Sequence, residues 1–271
     1  MNTIDVNANL GRWPFCRLPC DETPRLLERL AKHGVTQAWV GSLEGVFHRD
    51  LGGANARLAA ECRQHAGRLV PFGSVNPKLP DWQEDVRRCA DQWHMPGIRL
   101  HPNYHGYTLA DPGFAEVLAA AEKRGLIVQL VARMDDPRVQ HPVFPVPNVD
   151  LAPLAEVLGR FPKLRLAVLN GAERPRSEAL RKLVSAGRVW FDFATLDGLG
   201  CVERLLKSVP HTQVLFGSHL PLFALESALL KLKESALPKE QETAIRHGNA
   251  QRLLPATARD QNSYQSKEST L

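Results

Sequence analysis

Three kinds of side chain in this sequence could do chemistry on a small molecule, and each falls near the end of an apolar run. Histidines and a carboxylate form the first kind. His101 closes the run GIRLH, Asp192 lies between Phe191 and Phe193 in RVWFDFA, and His219 follows QVLFGS. Alternation along a strand turns Asp192 away from the two phenylalanines, and a buried carboxylate beside His101 or His219 makes a general acid/base pair in which each group shifts the other's protonation. Arginines form the second kind: Arg99 shares a face with His101, Arg133 follows LIVQLVA, and Arg12 follows TIDVNANL. Each is suited to grip a carboxylate. An inward Arg99 is costly unless it meets an anion, so a core ion pair with Asp5 or Asp192 competes with substrate binding; Arg133 has Asp135 and Asp136 as nearby alternatives. Amides form the third kind. Asn7 and Asn9 share one face of the first run with Asp5, opposite Ile4 and Val6, and Asn170 ends RLAVLN. Buried, such amides need hydrogen-bond partners or a ligand.

Two further candidates sit in loops. Trp13, with Phe15, either caps an apolar ligand or clamps the N-terminus to the fold. His141 lies in MDDPRVQHPVFPVPNVD, whose prolines forbid regular structure. Long loops inside compact domains are commonly functional or lid-like. Tyr104, His105 and Tyr107, after GIRLH, are expected as solvated rim residues.

The elements that position these groups repeat. Strands are expected over Thr3–Asn9, Val35–Leu43, Arg68–Val75, Gly97–His101, Leu126–Ala132, Leu164–Leu169, Arg188–Ala194 and Gln213–Ser218. Between them, helical spacing covers Glu22–His33, Ala54–His65, Trp82–Trp93, Pro112–Arg124, Leu151–Phe161, Ser177–Ala186, Cys201–Val209 and Leu222–Lys233. Glu173 is expected as a carboxylate at a helix start. An additional helix, Lys239–Leu254, follows, and 256–271 reads as a polar tail outside a single domain of 1–255. Eight alternations predict an α/β fold, the (β/α)8 TIM barrel with an extra C-terminal helix, whose site lies at the C-terminal strand ends. An open doubly wound sheet would carry a glycine-rich nucleotide turn after an early strand, and neither GxGxxG nor GxxxxGK[ST] occurs.

Four segments in order carry a family resemblance: DVNANLG, GIRLHP, LFGSHLP and GNAQRLL. The chain resembles the amidohydrolase superfamily, in particular the branch containing aminocarboxymuconate-semialdehyde decarboxylases and lactone hydrolases. The resemblance implies one or two divalent metals held by two strand-one histidines, a histidine after each of strands five and six, and a strand-eight aspartate. Here those positions fall on Asn7, Asn9, Val131, Asn170 and His219. Neutral amides are poor ligands for zinc, so the expectation is no metal and no cofactor.

Composition bounds the rest. Of 271 residues, 44% are hydrophobic and 23% charged, and 34 basic against 29 acidic residues leave a mild, interspersed net charge of +5. No basic run with interleaved aromatics suggests nucleic acid. No apolar run approaches the ~18 residues of a membrane span, and no signal pattern opens the chain, so a cytoplasmic protein is expected. Five scattered cysteines without a CxxC read as free thiols. Trp39, Trp82 and Trp93 suit either the helix-layer core or a homo-oligomer interface.

Three readings follow. In the first, the chain is a metal-independent hydrolase or lactonase. Arg12, Arg99 and Arg133 hold a small anionic substrate, His101, Asp192 and His219 move protons, and Asn7, Asn9 and Asn170 bind carbonyl or hydroxyl groups. In the second, the barrel has lost catalysis and serves as a small-molecule binder or scaffold. In the third, His101, His141 and His219 rebuild a metal site.

Overall fold

The structure, a computed structural model, describes residues 2–136, 138, 140–172 and 178–255. Glu173, the start of the expected helix at Ser177 and the 256–271 tail lie outside the described residues. Eight parallel strands follow one another around a barrel: β1 (Thr3–Leu10), β2 (Val35–Ser42), β3 (Leu69–Ser74), β4 (Gly97–Leu100), β5 (Ile127–Val131), β6 (Arg165–Leu169), β7 (Val189–Asp192) and β8 (Val214–Leu215). The circle closes where Val6 N donates to Phe216 O at 2.9 Å, His219 N to Asn7 O at 2.6 Å and Asn9 N to Leu220 O at 2.8 Å. The TIM barrel expected from the sequence is therefore the fold. Among the described residues no helix is long and apolar enough to cross a membrane.

Local chemistry sets the helix ends. Thr23–Lys32 begins with Pro24 in its first turn, buries Leu26, Leu27 and Leu30, and stops before Gly34, whose φ of +69° suits glycine. Leu51–Gln64 is capped by Asp50, which accepts from Gly53 N at 2.8 Å, so it starts three residues earlier than its apolar spacing predicts. The C-terminal extension is two short helices, Lys239–Thr243 and Asn249–Leu253, joined by a wider turn. It closes the N-terminal end of the barrel: Asn249 Nδ2 donates to Val214 O at 2.6 Å, and Leu253 O accepts from Arg165 Nη1 at 2.6 Å.

Two apolar shells follow from strand alternation. Ile98, Leu100, Val128, Leu130, Val168 and Phe191 pack beneath the helices, while Trp39, Phe72, Ile127, Leu169 and Leu215 fill the barrel. Trp39 is stacked on Phe72 inside the barrel, so it belongs neither to the helix layer nor to a surface. β1 departs from simple alternation. Asp5 pairs with Ala38 and Ala8 with Val40, so three steps on β1 oppose two on β2. Such a bulge re-aims side chains. Ile4 and Val6 therefore join the interior cluster and Ala8 and Leu10 the outer shell, instead of all four sharing one face.

Candidate active site at the barrel mouth

Asp192 ends β7 and is buried with its face inward, as its phenylalanine neighbours predict. Its Oδ2 accepts from Asn7 Nδ2 at 2.7 Å and its Oδ1 from Asn170 N at 2.7 Å. Asn7 Nδ2 gives its other proton to Asn170 Oδ1 at 2.8 Å, and Asn170 Nδ2 donates to Arg133 O at 2.7 Å. Burial raises the Asp192 carboxyl above its ordinary range, and these donors work against that rise. Gly217 makes the closeness feasible, because a Cβ there would lie 2.5 Å from Asp192 Oδ2.

His219, at φ +61°, is wholly buried. Its Nε2 lies 2.5 Å from Met134 O, and a carbonyl only accepts, so Nε2 carries the proton. Its Nδ1 faces Asn7 Oδ1 at 3.3 Å, an amide end fixed by the donation to Asp192. Burial pushes the imidazole down to about 4, with the Met134 carbonyl opposing. The neutral ring thus places one lone pair against another. Below this layer, Asp5 takes Ser218 N and Asn7 N on Oδ1, each at 3.0 Å, and the Ser218 hydroxyl on Oδ2. Burial moves the Asp5 carboxyl up to about 6.

Arg99 crosses the barrel and has no solvent exposure. Nε donates to Gln129 Oε1 at 2.8 Å, Nη1 to Ala8 O and Asn9 Oδ1 at 2.7 Å each, and Nη2 to Trp39 O at 3.3 Å and Val6 O at 3.5 Å. A guanidinium has five N–H donors, and all five are occupied by neutral acceptors. Neither the expected ion pair with Asp5 or Asp192 nor a free fork for a substrate carboxylate is formed. Burial pulls the guanidinium down to about 9. Gly41 is the signal that sequence reading missed: a Cβ there would be 2.8 Å from Arg99 Nη1, and a glycine inside a strand marks such a close approach.

His101 lies between β4 and a one-turn helix, Pro102–His105, which Pro102 starts. It is 1% exposed, and neither ring nitrogen has a hydrogen-bond partner. His105 meets it edge-on at 5.6 Å between ring centres. Burial, then His105, Arg99 and His219, holds the His101 ring well below its ordinary range, so it is neutral at pH 7. It borders a chamber also lined by Arg133, Asn103, Tyr104 and Asn148. The volume open to a water-sized sphere is about 10 Å³, room for one water. Neither Asp192 nor His219 lines this chamber. Asp192 and His219 meet through Asn7, while His101 faces the chamber, near enough to His219 for the two rings to influence each other's protonation.

The rim is aromatic. Trp13, 5% exposed, packs edge-on against Phe47 at 5.2 Å and Tyr104 at 6.3 Å. Phe144, from the long loop after β5, reaches Tyr104 and Phe47 at 6.2 Å each. His141 stacks on Phe15 at 5.5 Å and is otherwise exposed, which removes it from the barrel interior. Arg12 is largely exposed and pairs with Glu22 at 3.5 Å. Tyr107 is buried against Phe114, a correction to its expected place on a solvated rim.

A divalent ion does not fit these residues. Among the described residues no group of three or more His, Cys, Asp or Glu gathers, and His101, His141 and His219 do not converge. Asn7 directs its amide protons into the mouth, Asn9 Oδ1 is taken by a cation, and Asp192 is spent on amide donors.

A closed parallel barrel with polar groups at its C-terminal strand ends defines a TIM-barrel protein. The amidohydrolase family model matches residues 15–256, and the chain belongs to that family. Solved structures share the fold. A putative amidohydrolase from Staphylococcus aureus is 14% identical with a TM-score of 0.74, over 94% of this chain and 99% of that one. The 5-carboxyvanillate decarboxylase of Sphingomonas paucimobilis is 13% identical at TM-score 0.72, covering 93% and 98%. A dihydroxybenzoic acid decarboxylase from Polaromonas sp. JS666, solved with manganese and 2-nitroresorcinol, is 12% identical at TM-score 0.73, covering 93% and 97%. No curated protein sequence matches the chain significantly.

Proposed function

We propose that the chain is a hydrolase of lactonase type that acts on a small carboxylated compound without a divalent metal, with His101 as its proton-accepting group. The observation that carries this reading is the His101 ring, wholly buried with both nitrogens unpartnered beside a chamber with room for one water. An unpaired buried polar atom costs about 1–3 kcal/mol, and a ligand or water that meets a ring nitrogen offsets that nitrogen's share of the cost. A neutral imidazole can take the proton of a water as its oxygen adds to an acyl carbon. The imidazolium then returns the proton to the departing alkoxide as the acyl C–O bond breaks, so water has added across the ester and the histidine is restored. Arg133, on the same chamber, supplies positive charge for a carboxylate. Carboxylated aromatics named for the similar decarboxylases agree with an anionic substrate.

The test is a screen of lactones and esters bearing a carboxylate, with and without chelator, alongside elemental analysis. We expect turnover that survives chelation, no stoichiometric Zn, Mn or Fe, and a loss of about 10²–10⁴-fold in His101→Ala. A tightly held metal whose removal abolishes turnover overturns the reading. A second reading, a barrel that binds without catalysis, is favoured by the full engagement of Asp192, His219 and Arg99 in protein contacts. Absence of turnover together with a ligand-dependent rise in Tm supports it.

A further inference from the structure

His101 faces the chamber on one side and the His105 ring on another. The two histidines are four residues apart in HPNYH, and His105 N donates to His101 O at 3.0 Å, so the one-turn helix Pro102–His105 brings both rings to one face. His105 does not line the chamber. Nor is it a solvated rim residue, as the sequence predicts. Its Nε2 lies 3.0 Å from Gly45 O, and a carbonyl only accepts, so Nε2 carries the proton and Nδ1 is left bare, buried and without a partner. Burial lowers the ring below its ordinary range, with the Gly45 and Val75 carbonyls opposing, so it is neutral at pH 7. The Gly45 carbonyl is firmly placed. Gly45 belongs to the one-turn helix Glu44–Phe47, and a Cβ there would collide with Ser74 Oγ, so glycine lets this helix sit against the end of β3. Glu44 ties the same helix to Arg57 at 2.7 Å, and Asn55 fixes the strand end by exchanging hydrogen bonds of 2.7 and 2.8 Å with the Ser74 backbone.

A histidine that takes up a proton has two N–H donors instead of one. At His101 one of them turns to the reacting oxygen in the chamber, and the other needs an acceptor within the protein. On the chamber side the titratable groups are Arg133 and Tyr104. Away from it, the groups that act on His101 are His105, Arg99 and His219. Arg99 has no acceptor to offer. His219 has its Nε2 proton on Met134 O and its Nδ1 turned to Asn7 Oδ1. His105 Nδ1 is the acceptor left among them. The two ring centres lie 5.6 Å apart, which leaves roughly 3 Å between facing nitrogens, a hydrogen-bond length once the unpartnered His101 ring turns. We propose that His105 is the positioning residue for His101: its Nδ1 accepts the inner N–H of the His101 imidazolium, and the Gly45 carbonyl holds it in the tautomer that can do so. The bond closes as the charge forms, so it favours the proton-transfer state over the resting one. No proton passes to His105, because the one taken from water returns from His101 to the alkoxide. The acceptor thereby sets which His101 nitrogen faces the chamber. This role rests on the hydrolase reading, whereas the His105 tautomer rests on the geometry alone.

The tautomer is read without any turnover. In protein carrying nitrogen-15 histidine, the His105 ring signals, assigned by their loss in His105→Asn, are expected to show a protonated Nε2 and a bare Nδ1 at pH 7. A proton on Nδ1 overturns the proposal. Turnover then tests the role. His105→Phe keeps a ring against His101 and removes the acceptor, so kcat is expected to fall about 10- to 100-fold, the worth of a hydrogen bond to a charged group, with KM changed less than about twofold. The acid limb of kcat/KM is expected to move to lower pH, because the imidazolium has lost its acceptor. His105→Asn, whose amide oxygen falls near the Nδ1 position, is expected to return to within about fivefold of wild type. Should His105→Phe not fold, His105→Gln, which keeps an N–H for the Gly45 carbonyl and places no acceptor at Nδ1, reads the same comparison. An unchanged kcat, an acid limb that moves up as loss of a like charge would make it, or an Asn variant no better than Phe overturns the role and leaves the hydrolase reading standing. A wild-type chain that turns over none of the compounds removes the hydrolase reading and the role with it, and the tautomer is still decided by its own signals.

Discussion

The two sides of the barrel mouth treat their polar groups in opposite ways. On the side built by β1, β6, β7 and β8, Asn7, Asn170, Asp192, Asp5 and Ser218 exchange hydrogen bonds in a closed network. On the side built by β3, β4 and the far end of β1, Asn9 Nδ2, Ser74 Oγ, both nitrogens of His101 and His105 Nδ1 have no partner. Buried polar atoms are nearly always satisfied, and native exceptions cluster where a ligand or strain is involved. The family's metal-ligand positions fall mainly on the satisfied side. There the amides are held by protein partners, while the unpartnered polar atoms lie on the other side.

Arg99 gives the sharpest way to break this comparison, because it is fully hydrogen-bonded while sitting on β4 two residues from His101. Arg99→Met strands Asn9 Oδ1, Gln129 Oε1 and the Ala8 and Trp39 carbonyls at once. We expect a loss of about 3–5 kcal/mol in denaturant unfolding. A loss under about 1 kcal/mol would mean that the guanidinium is dispensable to the core and available for a ligand.

Arg99 also marks where sequence reasoning reached its limit. Alternation on β4 placed it inward correctly, and Ile98 and Leu100 occupy the helix shell as expected. Its partners were not legible, since backbone carbonyls carry no residue identity and the β1 bulge that directs Val6 O and Ala8 O toward it comes from pairing with β2. Gly41 and Gly217, each filled by a neighbouring side chain, were readable traces of these approaches. Strand order, by contrast, was readable throughout, because eight apolar runs with intervening helical spacing admit few topologies. The strand-eight run was too long in the sequence reading: only Val214–Leu215 is ladder, because Phe216 N bonds Ile245 O instead. That His219 is hydrogen-bonded while His101 is not required three dimensions, as both end inward-facing strands.

His219 gives the next effect, read in pH. Its folded-state value near 4 lies below the ordinary histidine value of 6.5. The unfolded chain therefore binds more protons between those values, and stability is full above about 6.5 and lost as pH falls toward 4. The contribution is roughly 3 kcal/mol. Asp5, raised to about 6, has the opposite sign, since the folded state holds the extra proton from 3.8 up to about 6. It partly offsets the loss over that window. His219→Gln keeps a donor for Met134 O and removes the titration, so its stability should fall less steeply from pH 6.5 to 4. An acid limb as steep as wild type would place the titration elsewhere.

The smallest effect is the one that separates the two sides most cleanly. His101→Leu replaces an unpartnered imidazole by an apolar group of similar volume. On the satisfied side, removing a polar group strands its partners; here no protein atom loses a hydrogen bond. Replacing an unsatisfied buried polar group by an apolar one is neutral or stabilising, so we expect a gain of up to about 1 kcal/mol. Urea unfolding of the purified variant measures it. Stability gained while turnover or ligand binding is lost marks His101 as a group retained for function at a structural cost. A loss of 2 kcal/mol or more would show instead that His101 is held by contacts equal to those of Asp192, and the asymmetry of the mouth would no longer point to β4.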